Sequence, residues 1–125
     1  MNKHFVNTSL KLAMLVFSVP ALLWSGQLAQ QSKTFTGEVT DSICAPSGSH
    51  SATIAKTPGM GNDSVTCTKK CVSMGAKYVL LDPSSQAMYT IEDPDKVSQF
   101  AGHKVKVTGT LNGNAINVTN ISALG

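Results

Sequence analysis

The sequence has no arginine, and its ten basic residues are all lysines. Aromatic residues make up only 6% of the 125 residues, and charged residues only 14%. From residue 30 onward eight lysines stand against seven acids, so the net charge of that part is about +1. Nucleic-acid-binding proteins instead carry a dense stripe of lysine and arginine, often with aromatic side chains between the charges. We therefore expect no nucleic-acid partner.

The sequence also lacks an apolar run long enough to cross a membrane as a helix, which takes about 20 residues. Its longest run, residues 12–24, is shorter, follows Lys3 and Lys11, and precedes small and polar residues. This order is typical of a secretory signal peptide. We expect residues 1–29 to be a signal peptide, removed after Ala29. The product would be an exported protein, periplasmic or secreted, without a membrane span.

Several catalytic and cofactor motifs are missing. The sequence contains no glycine-flanked nucleophilic serine, no phosphate-binding glycine loop with its lysine, and no C-x-x-C-H haem-attachment motif. Its acids lie mostly at expected caps and turns, where no pair has the surroundings that general acid–base catalysis needs. We therefore expect a binding protein rather than an enzyme and assign no catalytic residue. A cysteine nucleophile with His50 as its base is the enzymatic alternative.

Five short segments show the alternation of apolar and polar residues that is typical of half-buried strands. They span residues 34–41, 77–82, 87–93, 103–111 and 115–124. The polar turn at residues 83–86 predicts one hairpin, and the NGN turn at residues 112–114 predicts another. Ile121 is out of phase with Ile116 and Val118, which predicts a bulge or a strand end there.

The segment between the third and fourth strands, residues 93–102, predicts one short helix with Asp93 as its cap and Gly102 at its end. Five strands with a helix in this place match an OB-type barrel. Gly37 and Gly109, each inside a strand, suit the corners of a barrel. The predicted fold class is therefore all-β with minor α content, a small five-stranded OB-fold-like barrel. A small β-sandwich or an open meander is the alternative.

The barrel domain is expected to cover residues 34–125, with an insertion at residues 45–75 between the first two strands. The first part of the insertion, residues 45–63, is rich in glycine, serine and proline and predicts a long exposed loop. Asp63 or Ser64 can cap a helix that follows, and Gly75 can end it.

Three cysteines and one histidine are the residues best suited to carry chemistry. Cys44 ends the first strand and His50 lies in the loop, while Cys67 and Cys71 are four residues apart on one face of the expected helix. Zinc is usually held by four cysteine or histidine ligands in a tetrahedron. The set Cys44, His50, Cys67 and Cys71 therefore predicts a metal site, with Zn²⁺ as the ion.

Cu⁺ is the alternative ion. Because Cu(I) is softer than Zn²⁺, it also accepts three thiolates, and Met60 or Met74 could add a thioether. Besides a metal, the partner expected from the sequence is a small ligand or a protein of the cell envelope, whose identity the residues leave open.

The cysteines leave other interpretations open. In an oxidising compartment, a disulfide from Cys44 to Cys67 or Cys71 would close roughly 23 to 27 residues and leave one thiol over. Such a bridge is worth on the order of 3 kcal/mol in the chain-entropy model. A Cys67–Cys71 bond is less favourable. The Cβ atoms of residues four apart on a helix are about 5–6 Å apart, whereas a disulfide needs about 3.5–4.5 Å. A thiol redox protein that uses Cys67 and Cys71, or three inert core cysteines, complete the alternatives.

The chain also resembles a known family. The segments "TGEVTDSIC", "CTKKCVSMGAKYVLLD", "AGHKVKVTGTL" and "INVTNIS" are similar to a domain-of-unknown-function family of small exported bacterial proteins with an OB-like barrel. The similarity runs from Thr36 to Ser122 and includes the cysteines and His50. It implies a fold and a compartment, but it implies no activity.

Overall fold

The computed structural model describes residues 30–48 and 50–125. The expected signal peptide at residues 1–29 lies outside the described residues, so it stays a prediction. In the part of the chain that is described, no helix has both the length and the apolar character needed to cross a membrane.

The described chain is rich in strands, with a few short helical segments between them. Its elements are β1 (Ser32–Asp41), a 3₁₀ turn (Ala45–Ser47), α1 (His50–Lys56), α2 (Ser64–Ser73), β2 (Tyr78–Leu81), β3 (Met88–Ile91), α3 (Pro94–Val97), a second 3₁₀ turn (Ser98–Phe100), β4 (Lys104–Asn112) and β5 (Ala115–Ala123). The strand-rich class, the five strands and the short helix between the third and fourth strands are confirmed.

The five strands form one sheet whose neighbours run in the order β1, β2, β3, β5, β4. β1 pairs antiparallel with β2 and also with β4, which stands at the other end of this order. The sheet therefore closes on itself. β2 and β3 form one hairpin, and β4 and β5 form the other. The closing pair, β3 with β5, is parallel and short.

β1 changes partners in its middle. Its first part pairs with β4 as far as Glu38, and from Glu38 onward it pairs with β2. Gly37 is buried at this changeover, and a Cβ atom there would overlap the backbone carbonyl of Leu81. A glycine is needed here because the end of β2 lies directly against the backbone of β1.

The main core fills the inside of the closed sheet with aliphatic side chains. Its members include Val39, Leu80, Val105, Val107 and Ile116, none of which is exposed. The alternation along β4 is therefore as expected, with its valines inward and its lysines exposed. This core holds the end of β1 in place, and the site described below starts there.

Two details differ from the sequence-based expectations. The bulge expected near Ile121 lies two residues earlier, because Gly109 pairs with Val118 and Thr108 pairs with Asn120. Asp93 stands at the N-terminus of α3, but its side chain does not cap the helix. Its Oδ2 instead accepts a hydrogen bond from the backbone N–H of Val118, at 3.2 Å.

The expectation of a long exposed loop after Cys44 is wrong. Residues 45–47 form a 3₁₀ turn and α1 covers His50–Lys56. The inward face of α1 consists of His50, Thr53 and Ile54, which are spaced at i, i+3 and i+4. Two of these three side chains are polar, so the sequence shows no apolar periodicity that would predict a helix here. Tertiary contacts therefore decide the structure of this segment.

We predict that Gly37→Ala lowers the free energy of unfolding by roughly 1–3 kcal/mol, because the added methyl forces the end of β2 away from β1. Thr36→Ala, on the exposed side of the same strand, should stay within about 1 kcal/mol of the parent protein. Urea unfolding followed by circular dichroism measures both values. Equal stabilities of the two variants would contradict the close approach of β2 to Gly37.

The β2–β3 turn gives a prediction about pH. The pKa of Asp82 is lowered to about 2 by hydrogen bonds from the side chains of Ser84 and Ser85 and from the backbone N–H of Ser84. A lowered folded-state pKa stabilises the fold above the ordinary value near 4, and this contribution is lost as the pH falls toward 2. Asp82→Asn should therefore lose less stability than the parent between pH 4 and pH 2 in acid titrations of the melting temperature. Parallel profiles would contradict this assignment.

Candidate metal centre at the cysteines

The first cysteine is positioned by a turn at the end of β1. Asp41 is fully buried, and its Oδ1 accepts hydrogen bonds from the backbone N–H groups of Ile43 (3.0 Å) and Cys44 (2.9 Å). An aspartate that binds the N–H two residues on forms an Asx turn. This turn exposes Ile43 and directs the buried Cys44 toward the helices of the insertion.

The other two cysteines come from α2. Asp63 caps the helix by accepting a hydrogen bond from the N–H of Thr66 at 2.8 Å, as expected from the sequence. The Ser64 hydroxyl donates to the carbonyl of Gly102, which ties the start of α2 to the segment just before β4. Cys67 and Cys71, one helical turn apart, are both fully buried.

The three sulfur atoms converge. Their Sγ atoms all lie within 4.8 Å of one another, and those of Cys44 and Cys67 are 3.8 Å apart. All three cysteines are free thiols in the structure. The thiol of Cys44 also contacts Oγ1 of Thr53 on α1, at 3.3 Å. One sulfur cluster thus connects β1, α1 and α2.

This cluster is a second core, separate from that of the barrel. Its buried members are Cys44, Cys67, Cys71 and Met60, and Ile54 and Ala76 pack against it. Met60 is only 5% exposed, whereas Met74 is 59% exposed. Of the two methionines considered as thioether ligands for Cu(I), only Met60 is therefore placed beside the thiols.

The surroundings of the α2 thiols disfavour their ionised forms in the absence of a cation. Burial raises the pKa of Cys67 to about 11, with the nearby Cys44 thiol as the next cause. Burial and then the negative charge of Asp41 raise the pKa of Cys71 to about 12. A bound cation would reverse this preference, because it stabilises thiolates directly.

His50 lies beside the sulfur cluster rather than within it. A ring nitrogen of His50, a carboxylate oxygen of Asp41 and Sγ of Cys44 lie within 4.8 Å of one another, in a second group of potential ligands that shares Cys44 with the first. The structure thus brings His50 to Cys44 but does not gather all four expected ligands into one mutual group. The four-ligand set stays a prediction.

The hydrogen bonds of His50 leave one ring nitrogen free. Its Nε2 lies 3.2 Å from Oε1 of Glu38 and 3.0 Å from Oγ1 of Thr40. Its Nδ1 is buried and has no hydrogen-bond partner among the described residues, and the same holds for Oδ2 of Asp41. Buried polar atoms without partners are uncommon and call for an explanation, which a bound ion can provide.

A pocket leads to this side of the cluster. It has a volume of about 310 Å³, and Cys44, His50, Glu38 and Asp63 are among the residues that line it. Two carboxylates in the lining of a small polar pocket attract cations. The deeper thiols of the cluster are fully buried.

Asp41 is the residue that the sequence-based site did not include. Its signal was present in the alternation of β1, where Phe35, Gly37 and Val39 face inward and Asp41 has the same phase. A carboxylate in a core phase is unusual, because burying a charge is costly unless it is paired or binds a metal. His103, expected at the surface, is exposed.

Comparisons of the chain with protein-family models, with curated proteins and with solved structures find no match.

We predict that the thiols of the metal-free protein react slowly with a disulfide reagent at pH 8. The raised pKa values lower the thiolate fraction roughly a hundredfold for Cys67 and roughly a thousandfold for Cys71 relative to an ordinary cysteine, and burial slows the reaction further. In denaturant, three thiols per chain should react at once. Fast reaction of two or more thiols in the native protein would contradict the buried cluster.

Proposed function

We propose that this protein is a non-enzymatic binding module of the cell envelope that holds a transition-metal ion through the thiolates of Cys44, Cys67 and Cys71. The observation that carries the proposal is the convergence of three buried free thiols from two separate elements within 4.8 Å of one another. Three sulfur ligands at this spacing can bind one ion of the soft or borderline type.

The packing around the thiols supports a role for a ligand there. The insertion has few other buried apolar side chains, and its own core consists of sulfur-containing residues. A core of this size stabilises little by itself. An ion that joins β1 to α2 would add binding energy directly to the stability of the insertion, as structural zinc sites do.

Zn²⁺ is the ion we favour, and Cu⁺ is the alternative. Zinc accepts three thiolates and a fourth ligand in a tetrahedron. Cu(I) would bind the three thiolates with the buried Met60 as a soft neighbour. The two ions are distinguished by elemental analysis of the protein isolated from its native compartment.

We further infer that the closed sheet is an OB-type barrel and that the protein is exported. The strand order and the short helix before β4 support the barrel assignment. The lysine-flanked apolar run at residues 12–24 supports export. A small-ligand or envelope-protein partner stays a prediction.

A protein stapled by one disulfide is the second candidate, and one distance favours it. The 3.8 Å between the Sγ atoms of Cys44 and Cys67 is short enough for a bridge after small side-chain rotations. Oxidation would leave Cys71 as a single thiol. A thiol redox protein that uses Cys67 and Cys71 stays a prediction.

We predict that Zn²⁺ raises the melting temperature of the reduced, metal-free protein by roughly 10–20 °C at a hundredfold excess over its Kd, because the folded state alone presents the site. Cys71→Ser should abolish most of this rise. Met74→Leu, an exposed change just beyond the same helix, should leave it intact. Differential scanning calorimetry with and without a chelator measures the shifts.

Thiol counting separates the two candidates in the same preparation. A metal site predicts three thiols in denaturant with a chelator, a number that a reductant does not increase. A disulfide predicts one thiol in denaturant, rising to three with reductant. The second result, together with no thermal shift on adding Zn²⁺ to the reduced protein, would overturn the metal proposal.

A further inference from the structure

We propose that the site holds two divalent ions, with the thiolate of Cys44 bridging them. The inner ion is the one bound by Cys44, Cys67 and Cys71. The outer ion is bound by Cys44, Asp41 and His50 and faces the 310 Å³ pocket. This inference rests on the proposed metal-binding function and assigns its stoichiometry and a second ligand set.

The first argument is the overlap of the two ligand groups. Each group contains three potential ligand atoms within 4.8 Å of one another, and Cys44 belongs to both. A thiolate sulfur has three lone pairs, so it can bind two ions at once. Each ion would then have three protein ligands and one position open to water or another ligand.

The second argument is charge. Three thiolates and the carboxylate of Asp41 carry four negative charges in a buried region. Among the described residues, Glu38 contacts His50 and Asp93 pairs with Lys96, and neither contact neutralises Asp41. One divalent ion leaves two negative charges uncompensated, whereas two divalent ions balance all four. Uncompensated buried charge is strongly unfavourable.

The third argument concerns two of the three buried side-chain atoms that have no hydrogen-bond partner in the described chain, the other being Oγ1 of Thr68. Oδ1 of Asp41 is used by the Asx turn, but its Oδ2 has no partner in the described chain. Nδ1 of His50 is likewise without a partner. The inner ion does not account for these atoms, because neither residue belongs to the three-thiol group. Ligation of an outer ion through Oδ2 and Nδ1 would give both of them a partner.

The orientation of His50 fits this role. The carboxylate of Glu38 can only accept a hydrogen bond, so the neutral tautomer that pairs with it carries its proton on Nε2 and keeps a lone pair on Nδ1. Histidine ligands of metals commonly donate their other N–H to a carboxylate in this way. Thr40 gives Nε2 a second contact, at 3.0 Å, which fixes the ring further.

Native mass spectrometry of the reduced protein during a Zn²⁺ titration tests the inference. The unaltered protein should bind two ions per chain. Asp41→Asn keeps the oxygen of the Asx turn but removes the charge, and His50→Gln removes the imidazole, so each should bind one. The matched controls Asp95→Asn and His103→Gln, at exposed positions, should bind two. Circular dichroism establishes that each variant is folded.

Cobalt substitution tests the bridge itself. Two Co²⁺ ions that share a thiolate are magnetically coupled, so the electron paramagnetic resonance signal per cobalt should fall as the second ion binds. In Asp41→Asn the signal should grow in proportion to one bound ion. Two ions without coupling would overturn the bridging role of Cys44.

The outcomes separate this inference from the proposed function. One Zn²⁺ per chain in the unaltered protein, unchanged in Asp41→Asn and His50→Gln, would overturn the second ion and leave the three-thiol site standing. No bound Zn²⁺ in the reduced protein would overturn both. A single ion that is lost in His50→Gln but kept in Asp41→Asn would also overturn the two-ion site.

Discussion

The contact among three sulfur atoms is the interaction on which the insertion of this protein depends. The closed sheet has its own aliphatic core, which Val72 of α2 also contacts. The sulfur-containing side chains of Cys44, Cys67, Cys71 and Met60 form a second buried cluster between the sheet and the helices of the insertion. Because few other apolar side chains are buried there, metal binding or oxidation at the sulfur atoms changes how firmly the insertion is held to the sheet. The same sulfur atoms therefore pack the insertion against the sheet and serve as its potential metal ligands.

The sheet contributes to the site by fixing the end of β1. Gly37 lets this strand pass closely between two neighbours, and Val39 anchors it in the core. The next inward position is Asp41, whose two oxygens have different roles. One closes the turn that presents Cys44, and the other is buried without a hydrogen-bond partner among the described residues. The side chain of Asp41 thus closes the turn at the end of β1 and also places a negative charge near the thiols.

Alternation of apolar residues was sufficient to predict the five strands, both hairpins and the position of the insertion, because a sheet with one buried face leaves a period of two in the sequence. It also predicted a register irregularity near Ile121, which occurs two residues earlier. The insertion was harder to predict. α1 is held by His50, Thr53 and Ile54, and a face that is mostly polar leaves no periodic signal. The spacing of Cys67 and Cys71 predicted their shared helix face. Their approach to Cys44 depends on tertiary packing that spacing alone does not encode, and Asp41 was missed although its phase in β1 pointed inward.

X-ray absorption spectroscopy of the zinc-loaded protein tests the central claim most directly, because it reports the atoms bound to the ion. We expect a first shell dominated by sulfur at about 2.3 Å, with a smaller contribution from nitrogen or oxygen at about 2.0–2.2 Å. A first shell of nitrogen and oxygen without sulfur would contradict the account. The ion would then be bound elsewhere, and the buried thiols would serve only as core side chains.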